Sequence, residues 1–444
     1  MSETLDKMDV VGTRPVRPDG ADKVTGRALF GADLYLPGML VGRIKRSPHA
    51  HARIVKLDVR AAKALPGVKA IVTGKDFGLG AGVKIDSGEN QTALEHIALN
   101  LMARDKALYV GHPIAAVAAT SAEIAEEALR LIDVTWEVLP HVIDVEAAMA
   151  PDAPVLHDDL FTAGVNPVPT TPSNIASKIV MGRGDVPAAM AAAEVVVEGR
   201  YYSAPVHQGY LEPHACVASW GGDGQATIWC CTQGHFQVRA MTAKLLGIPL
   251  ADLKVTASEI GGGFGGKNAI YVEPVALALS RQCGRPVKLV MSREEVFLAS
   301  GPTSGSVIEV KFGATKAGKI VAAEIVAKFQ AGAFPGSPVG AGCMSALACY
   351  DIENMAITGW DVVSNRAKTA AYRAPGAPNV AWGVESALDD LALKLGMDPI
   401  DLRLANAVGE GSKAVYGATF RNIAFVDTLQ AVKNHPHYSA PLGP

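Results

Sequence analysis

No uninterrupted apolar run in the 444 residues reaches the roughly 18 that a membrane-spanning helix requires. The opening stretch, MSETLDKMDV, has no basic flank, no apolar core and no twin arginine, so it does not read as a secretory leader. The expected compartment is the cytoplasm. Cys-x-x-Cys pairs are missing too: Cys216, Cys230, Cys231, Cys283, Cys343 and Cys349 build neither zinc nor iron–sulfur spacing. They are expected to be buried free thiols in a reducing compartment, and any iron–sulfur cluster must sit on another chain. A formal net charge of −3 leaves no basic excess for nucleic acid or an anionic membrane surface. Internal repeats and low-complexity tracts are absent as well. What is present is a 49% hydrophobic, 19% charged chain, enough for a large core in two or three domains.

Residues 114–118 form an apolar run fit for a buried strand. Thr120 opens a T-S-A-E capping box with Glu123, ahead of a helix through Ile132. Val134 to Val138 alternates with period two, which predicts a second strand and thus a β-α-β unit of an α/β domain. The stretch 151–172, rich in Pro, Thr, Ala and Asn, predicts a surface connection and a domain boundary. Beyond it, strands are expected over 195–202, 227–231 and 254–260. A helix carrying Val238, Met241 and Leu245 on one face stops at Gly247 and Pro249. Another carries Val275 to Leu279, with Pro274 in its first turn.

The sharpest local feature is Gly261-Gly262-Gly263-Phe264-Gly265-Gly266-Lys267-Asn268, between a strand and a helix. Five glycines in seven positions let backbone N–H groups approach a ligand closely, which predicts an anionic or oxo-bearing group near the following helix N-terminus. Gly261, Gly263 and Gly266 satisfy G-x-G-x-x-G, without the acidic partner a dinucleotide site needs. Gly261, Gly266 and Lys267 satisfy most of a P-loop, but Asn268 replaces the hydroxyl that ligates magnesium. A tight turn with close packing explains the spacing equally well.

The words of the sequence say more than its spacing. GGGFGGK, preceded by Thr232-Gln233 after a strand, resembles the molybdopterin-binding large subunit of the xanthine oxidase and aldehyde oxidoreductase family. So does Ala371-Tyr372-Arg373-Ala374-Pro375-Gly376, similar to that family's A-[FY]-R-x-x-G loop. DKVTGRALFGADLYLPGML, RSPHAHARI, ALPGVKAIVTGKDF and YVGHPIAAVAA look like the hammerhead domain that precedes the molybdenum domain. The resemblance implies a mixed α+β fold: a hammerhead domain over 1–150, a linker over 151–172, and the first half of the molybdopterin-binding domain over 173–444. It implies hydroxylation of carbon with oxygen from water at a molybdenum cofactor, usually molybdopterin cytosine dinucleotide in bacteria. Electrons would pass to [2Fe-2S] and FAD on partner subunits. Protein side chains would not ligate the metal directly.

By the same resemblance, Gln233 would hydrogen-bond an oxo ligand, and Gly262, Gly263, Phe264 and Gly265 would lie against metal and pterin. Arg373 would be the catalytic group facing substrate, with Asn268 beside it. Each has a plainer alternative: Gln233 as a helix cap, Phe264 as core, Arg373 as an ion-pair residue. His49, His51, His112, His207, His214 and His235 read as structural or solvent-exposed, and Glu212 as a structural hydrogen-bond partner. Asn268 stands where purine-oxidising members carry a glutamate, which disfavours xanthine. Ala374 stands where carbon monoxide dehydrogenases place a copper-ligating cysteine, which excludes that chemistry. The family's general base, a glutamate in a G-x-G-E segment near the far carboxyl end, has no counterpart before Pro444. A second chain is therefore expected to carry it, a layout similar to the split large subunit of nicotinate dehydrogenase, in what could be a dimer of heteromers. The expected substrate is an N-heteroaromatic, carboxylate-bearing or not. An aldehyde comes next, and a cofactor-free structural subunit or truncated fragment is the remaining reading.

Overall fold

The computed structural model describes residues 9–86 and 91–441. Strands β1 (Leu40–Arg46), β2 (Ala52–Asp58), β3 (Val68–Thr73), β4 (Lys84–Asp86), β5 (Gln91–Ala93), β6 (Lys106–Ala107), β7 (Pro113–Ala119) and β8 (Asp133–Val138) come first. They are followed by β9 (Ile175–Arg183), β10 (Val195–Ser203), β11 (Ala215–Trp220), β12 (Ala226–Cys230) and β13 (Leu253–Ala257). The last are β14 (Val287–Val290), β15 (Ser306–Ala314), β16 (Ile320–Gly332) and β17 (Asn354–Val363). Helices and strands are interleaved, so the mixed α+β expectation holds.

Two large sheets organise the molecule. The first has the order β13-β12-β11-β14-β1-β7-β3, so it takes strands from both sides of the 151–172 segment. β7 is buried at every position because it lies inside this sheet, between β1 and β3. Against the sheet packs the helix Glu273–Cys283, whose first eight residues are all buried. An all-round apolar helix of this kind needs cover on every side. The second sheet has the order β10-β15-β16-β17-β9, antiparallel except for the β16–β17 pair. The helix Ala377–Leu395 closes its apolar face through Val380, Val384, Leu388 and Leu391.

Four local expectations need correction. The helix after β7 starts one residue later than expected: Ser121, not Thr120, is the N-cap, its hydroxyl accepting from the Ile124 N–H. The predicted β-α-β unit does not form a parallel pair, since β8 belongs to the three-stranded sheet β6-β2-β8. Its alternating pattern suits the antiparallel pairing with β2, one face left to solvent, whereas β7 is apolar on both faces. The strand expected over 254–260 ends at Ala257, where the backbone turns toward the glycine loop. Within 151–172, Leu156 is fully buried, with its N–H held by Asn174 Oδ1, so this connection is partly folded into the core.

Of the histidines read as structural or solvent-exposed, His51, His112 and His214 are buried. His112 is fully enclosed, its Nδ1 accepting from the Leu108 N–H at 3.1 Å and its Nε2 donating to the Leu99 carbonyl at 2.8 Å. Burial, helped by the charge of Arg46, holds its pKa at about 4, and burial with Lys267 nearby holds His214 at about 3. An unfolded histidine titrates near 6.5, so between those values the unfolded chain binds more protons than the folded one. Stability should be complete above about pH 6.5 and fall steadily as the pH drops toward 4. The loss for His112 alone should be roughly 3 kcal/mol. Denaturant titrations from pH 7.5 to 4 should show this slope, shallower in a His112→Gln variant; a flat profile would contradict the assignment.

Candidate functional site

β12 and β13 are parallel neighbours, with Cys230 opposite Ala257, so both deliver their carboxyl ends to the same edge of the first sheet. This is where ligands of open α/β sheets commonly sit. From β12 the chain passes through Thr232 and Gln233 into the helix His235–Leu246; from β13 it enters the glycine loop. The loop Ala371–Gly376, ahead of the helix Ala377–Leu395, meets them from the second sheet. The Arg373 N–H donates to the Phe264 carbonyl at 2.9 Å, joining the two loops.

The contact is tight. A Cβ on Gly265 (φ 101°) would lie 2.8 Å from Ala371 Cβ, and one on Gly263 would lie 2.5 Å from Gln233 Oε1. Phe264, Arg373 and Ala374 are themselves held at positive φ, a conformation L-residues seldom adopt and one that concentrates at functional sites. Phe264 is 50% exposed, which rules out the core alternative, and Arg373 is exposed without an ion pair among the described residues.

Gln233 is not a helix cap: the N-cap of the helix His235–Leu246 is Gly234, and no side chain caps it. Gln233 Oε1 instead accepts from the Gly265 N–H at 2.9 Å and the Lys267 N–H at 3.3 Å. That fixes the amide so that its Nε2 is the outward end, a donor with no partner among the described residues. The N–H groups of Gly262, Gly263 and Phe264 likewise have no partner among the described residues, whereas the Gly265 N–H is committed to Gln233.

Under the loop lies a buried ion pair that sequence reasoning missed in part. Lys267 Nζ is 2.6 Å from Glu212 Oε2, with side chains 0% and 8% exposed, and sits 5.0 Å from the centre of the Tyr210 ring. Glu212 also accepts from the Gly261 N–H at 2.8 Å and the Gly31 N–H at 3.1 Å, the structural role expected of it. Lys267 therefore points away from any ligand, and the P-loop reading falls. The expectation of an anion at the following helix N-terminus also fails. Glu273 is buried there, its own carboxylate accepting from the N–H groups of Tyr271 and Val272. Burial raises its pKa, countered by those N–H groups.

Asn268 does not stand with Gln233. It lines a cavity of about 130 Å³ that Gly265 also borders and Gln233 does not, with His96, Asn100, Phe334 and Lys368, none of which sequence reasoning singled out. Among the described residues no three His, Cys, Asp or Glu side chains are grouped to hold a metal ion. Cys216, Cys230, Cys231 and Cys343 are buried and free as expected, but Cys283 is only half-buried and Cys349 is exposed. No described helix is long and apolar enough to cross a membrane.

Residues 168–407 match the molybdopterin cofactor-binding domain, and residues 25–140 match the a/b hammerhead domain of aldehyde oxidase and xanthine dehydrogenase. The chain belongs to the molybdenum hydroxylase large-subunit family. It is 30% identical over 428 residues to the nicotinate dehydrogenase large molybdopterin subunit of Eubacterium barkeri, covering 96% of each chain. To the xanthine dehydrogenase molybdenum-binding subunit of Escherichia coli it is 31% identical over 425 residues, 91% of this chain and 53% of the relative. The crystal structure of quinoline 2-oxidoreductase from Pseudomonas putida 86 superposes with a TM-score of 0.85 at 30% identity, covering 95% of this chain and 53% of that one. Against several relatives, then, this large-subunit chain spans about half the length.

The residues present fit a molybdopterin cofactor. A nest of free N–H groups at Gly262, Gly263 and Phe264 suits an oxygen-rich, anionic group. Beside it the Gln233 amide offers a donor already oriented by two backbone bonds, and glycines keep the approach open.

Proposed function

We propose that this chain forms the molybdenum-cofactor-binding half of a hydroxylase that oxidises an N-heteroaromatic substrate with oxygen taken from water. The observation that carries the reading is the set of free donors at Gly262, Gly263, Phe264 and Gln233 Nε2, held in place by the clasp between Gln233 and the glycine loop. When bound, the molybdenum cofactor, as its cytosine dinucleotide, supplies the two-electron acceptor for carbon oxidation. The chain's own part is placement. Gln233 Nε2 would donate to an oxygen-bearing part of the cofactor, and the three N–H groups would hold its negative charge. Arg373, presented on a strained loop without a competing carboxylate, holds an anionic group of the substrate or the charge that develops on it. Asn268, a neutral amide, hydrogen-bonds the substrate and cannot exchange a proton with it.

The general base then comes from a second chain carrying the remaining half of the domain, with [2Fe-2S] and FAD on further partners. Supporting this are the end-to-end match with a relative named as a large molybdopterin subunit and the half-length match with others. Leu211, 89% exposed beside Glu212, and Phe236, 72% exposed beyond Gln233, are apolar flanks of the site suited to that second chain.

Gln233→Glu tests the reading. The carboxylate can still accept from Gly265 and Lys267, so the fold should hold, but the outward donor is lost and a second acceptor would face the oxygen-rich group the loop is suited to hold. Turnover of the native complex should fall by about 10²–10³-fold, the worth of one such donor, with unfolding unchanged. Native purification with molybdenum quantified accompanies it: a metal-free complex, or full activity in the variant, would sink the proposal.

A further inference from the structure

The cavity beyond Gly265 is walled on one side by the helix Leu94–Leu101, which belongs to the hammerhead segment and contributes His96 and Asn100. On the other side stand Asn268, Ile270 and Phe334. Lys368, also on the wall, is held by the Gly336 carbonyl at 2.9 Å. Two polar side chains here have no hydrogen bond among the described residues: the half-buried His96 and Asn268. The His96 ring leans on Phe334, centroids 5.8 Å apart and planes at 42°, and on His157 at 6.0 Å. His157 is itself anchored to the Ala333 carbonyl at 2.7 Å. Asn100 Oδ1 accepts from the Tyr109 hydroxyl at 3.2 Å, which turns its NH2 end to be the donor. Burial lowers the His96 pKa, so near pH 7 the ring is neutral, with one N–H and one lone pair to offer.

Polar groups left without partners in a partly dry cavity are costly, by about 1–3 kcal/mol each where burial is complete, and a ligand that meets them recovers part of that. The volume limits the ligand. About 130 Å³ is close to the ~150 Å³ of a protein cavity that takes up benzene, so one six-membered ring fills it and a fused pair would extend out of its mouth.

We propose that His96 is a specificity-determining residue: its imidazole hydrogen-bonds the ring nitrogen of a single-ring N-heteroaromatic lodged against Phe334, while Asn268 binds a ring substituent. The inference rests on the functional reading above and deepens it, since it assigns the hammerhead segment a part in choosing the substrate. His96 selects for one ring over two by rewarding the ring that reaches the cavity floor.

The test uses the assembled complex, with pyridine-3-carboxylate as the one-ring probe and quinoline as the two-ring probe. Equilibrium binding is measured without electron acceptor, and KM and kcat with it. In His96→Ala, the Kd and KM for pyridine-3-carboxylate should rise about tenfold, the worth of one net hydrogen bond, with kcat within a few-fold. Quinoline parameters should stay put, and His96→Gln, which keeps a donor and an acceptor, should restore most of the loss. Wild-type complex that binds and oxidises the one-ring probe while His96→Ala matches it would overturn this inference and leave the functional reading intact. Binding of the probe that weakens in His96→Ala, in a complex unable to oxidise it, would support the pocket and overturn the functional reading instead. Failure of the wild type to bind the one-ring probe at all overturns the inference.

Discussion

Replacing Lys267 by methionine should destabilise the fold by about 3–5 kcal/mol, although the residue lies in a loop and touches no ligand. The reason is the carboxylate it leaves behind. Glu212 is 8% exposed and would keep only the neutral N–H groups of Gly261 and Gly31 as partners. A buried charge without its counter-charge costs several kcal/mol, whereas a pair removed together leaves little behind. The Lys267→Met, Glu212→Gln double variant should therefore recover more than half of the single-variant loss. The amide oxygen can still accept from one backbone N–H, and methionine fills the channel beside the Tyr210 ring. Denaturant unfolding of the four proteins in a double-mutant cycle reads this directly. Single-variant losses below about 1 kcal/mol would mean that solvent screens the pair, against its burial.

A second large effect is expected from the smallest change, Gly265→Ala. The backbone there sits at φ 101°, and the new methyl would meet Ala371 Cβ at 2.8 Å and the Ala371 carbonyl oxygen at 2.9 Å. Neither neighbour is the end of a flexible side chain, and Ala371 O is already held by Gln208 Nε2 at 2.8 Å. The two loops must separate, and with them the bonds from Gly265 to Gln233 and from Arg373 to Phe264. A misplacement of this order can cost about 10²-fold in turnover. Loss of molybdenum from the purified complex should accompany it. Gly247→Ala is the control: Gly247 also has positive φ, but a Cβ there meets nothing within 4 Å. It should cost stability alone, and equal activity losses in the two variants would refute the clash argument.

Much of the site was legible because its parts are local words. Thr232-Gln233, the glycine run and the Arg373 loop each keep their meaning within a few residues, and the structure brings all three together. Glu212 could be read as structural from the Y-L-E-P string it shares with the family, and it does hold the N–H groups of Gly261 and Gly31. What could not be read depends on distant chain. The helix N-terminus behind the glycine loop looked open to an anion, since local pattern does not show that Glu273 folds back onto the N–H groups of Tyr271 and Val272. β7 and β8 looked like one unit, because pairing partners such as β2 and β1 are chosen by surfaces that a window of sequence does not contain. His96 carried no motif at all; a lone histidine on an amphipathic helix becomes informative only when Phe334 and Asn268 are seen to face the same cavity.

The order of strands in the first sheet also sets a timetable. β1 pairs in parallel with β14, Leu40 opposite Val287, and its other neighbour, β7, supplies only one edge. A nascent chain emerging amino end first at about 5–20 residues per second exposes the β1 edge for on the order of ten seconds or more before β14 leaves the ribosome. During that wait Leu40, fully buried in the finished fold, has no cover on the β14 side. An unpaired strand edge of this kind is an invitation to a neighbouring polypeptide, so production of this protein should depend on chaperone supply during synthesis more than on the final stability of the sheet.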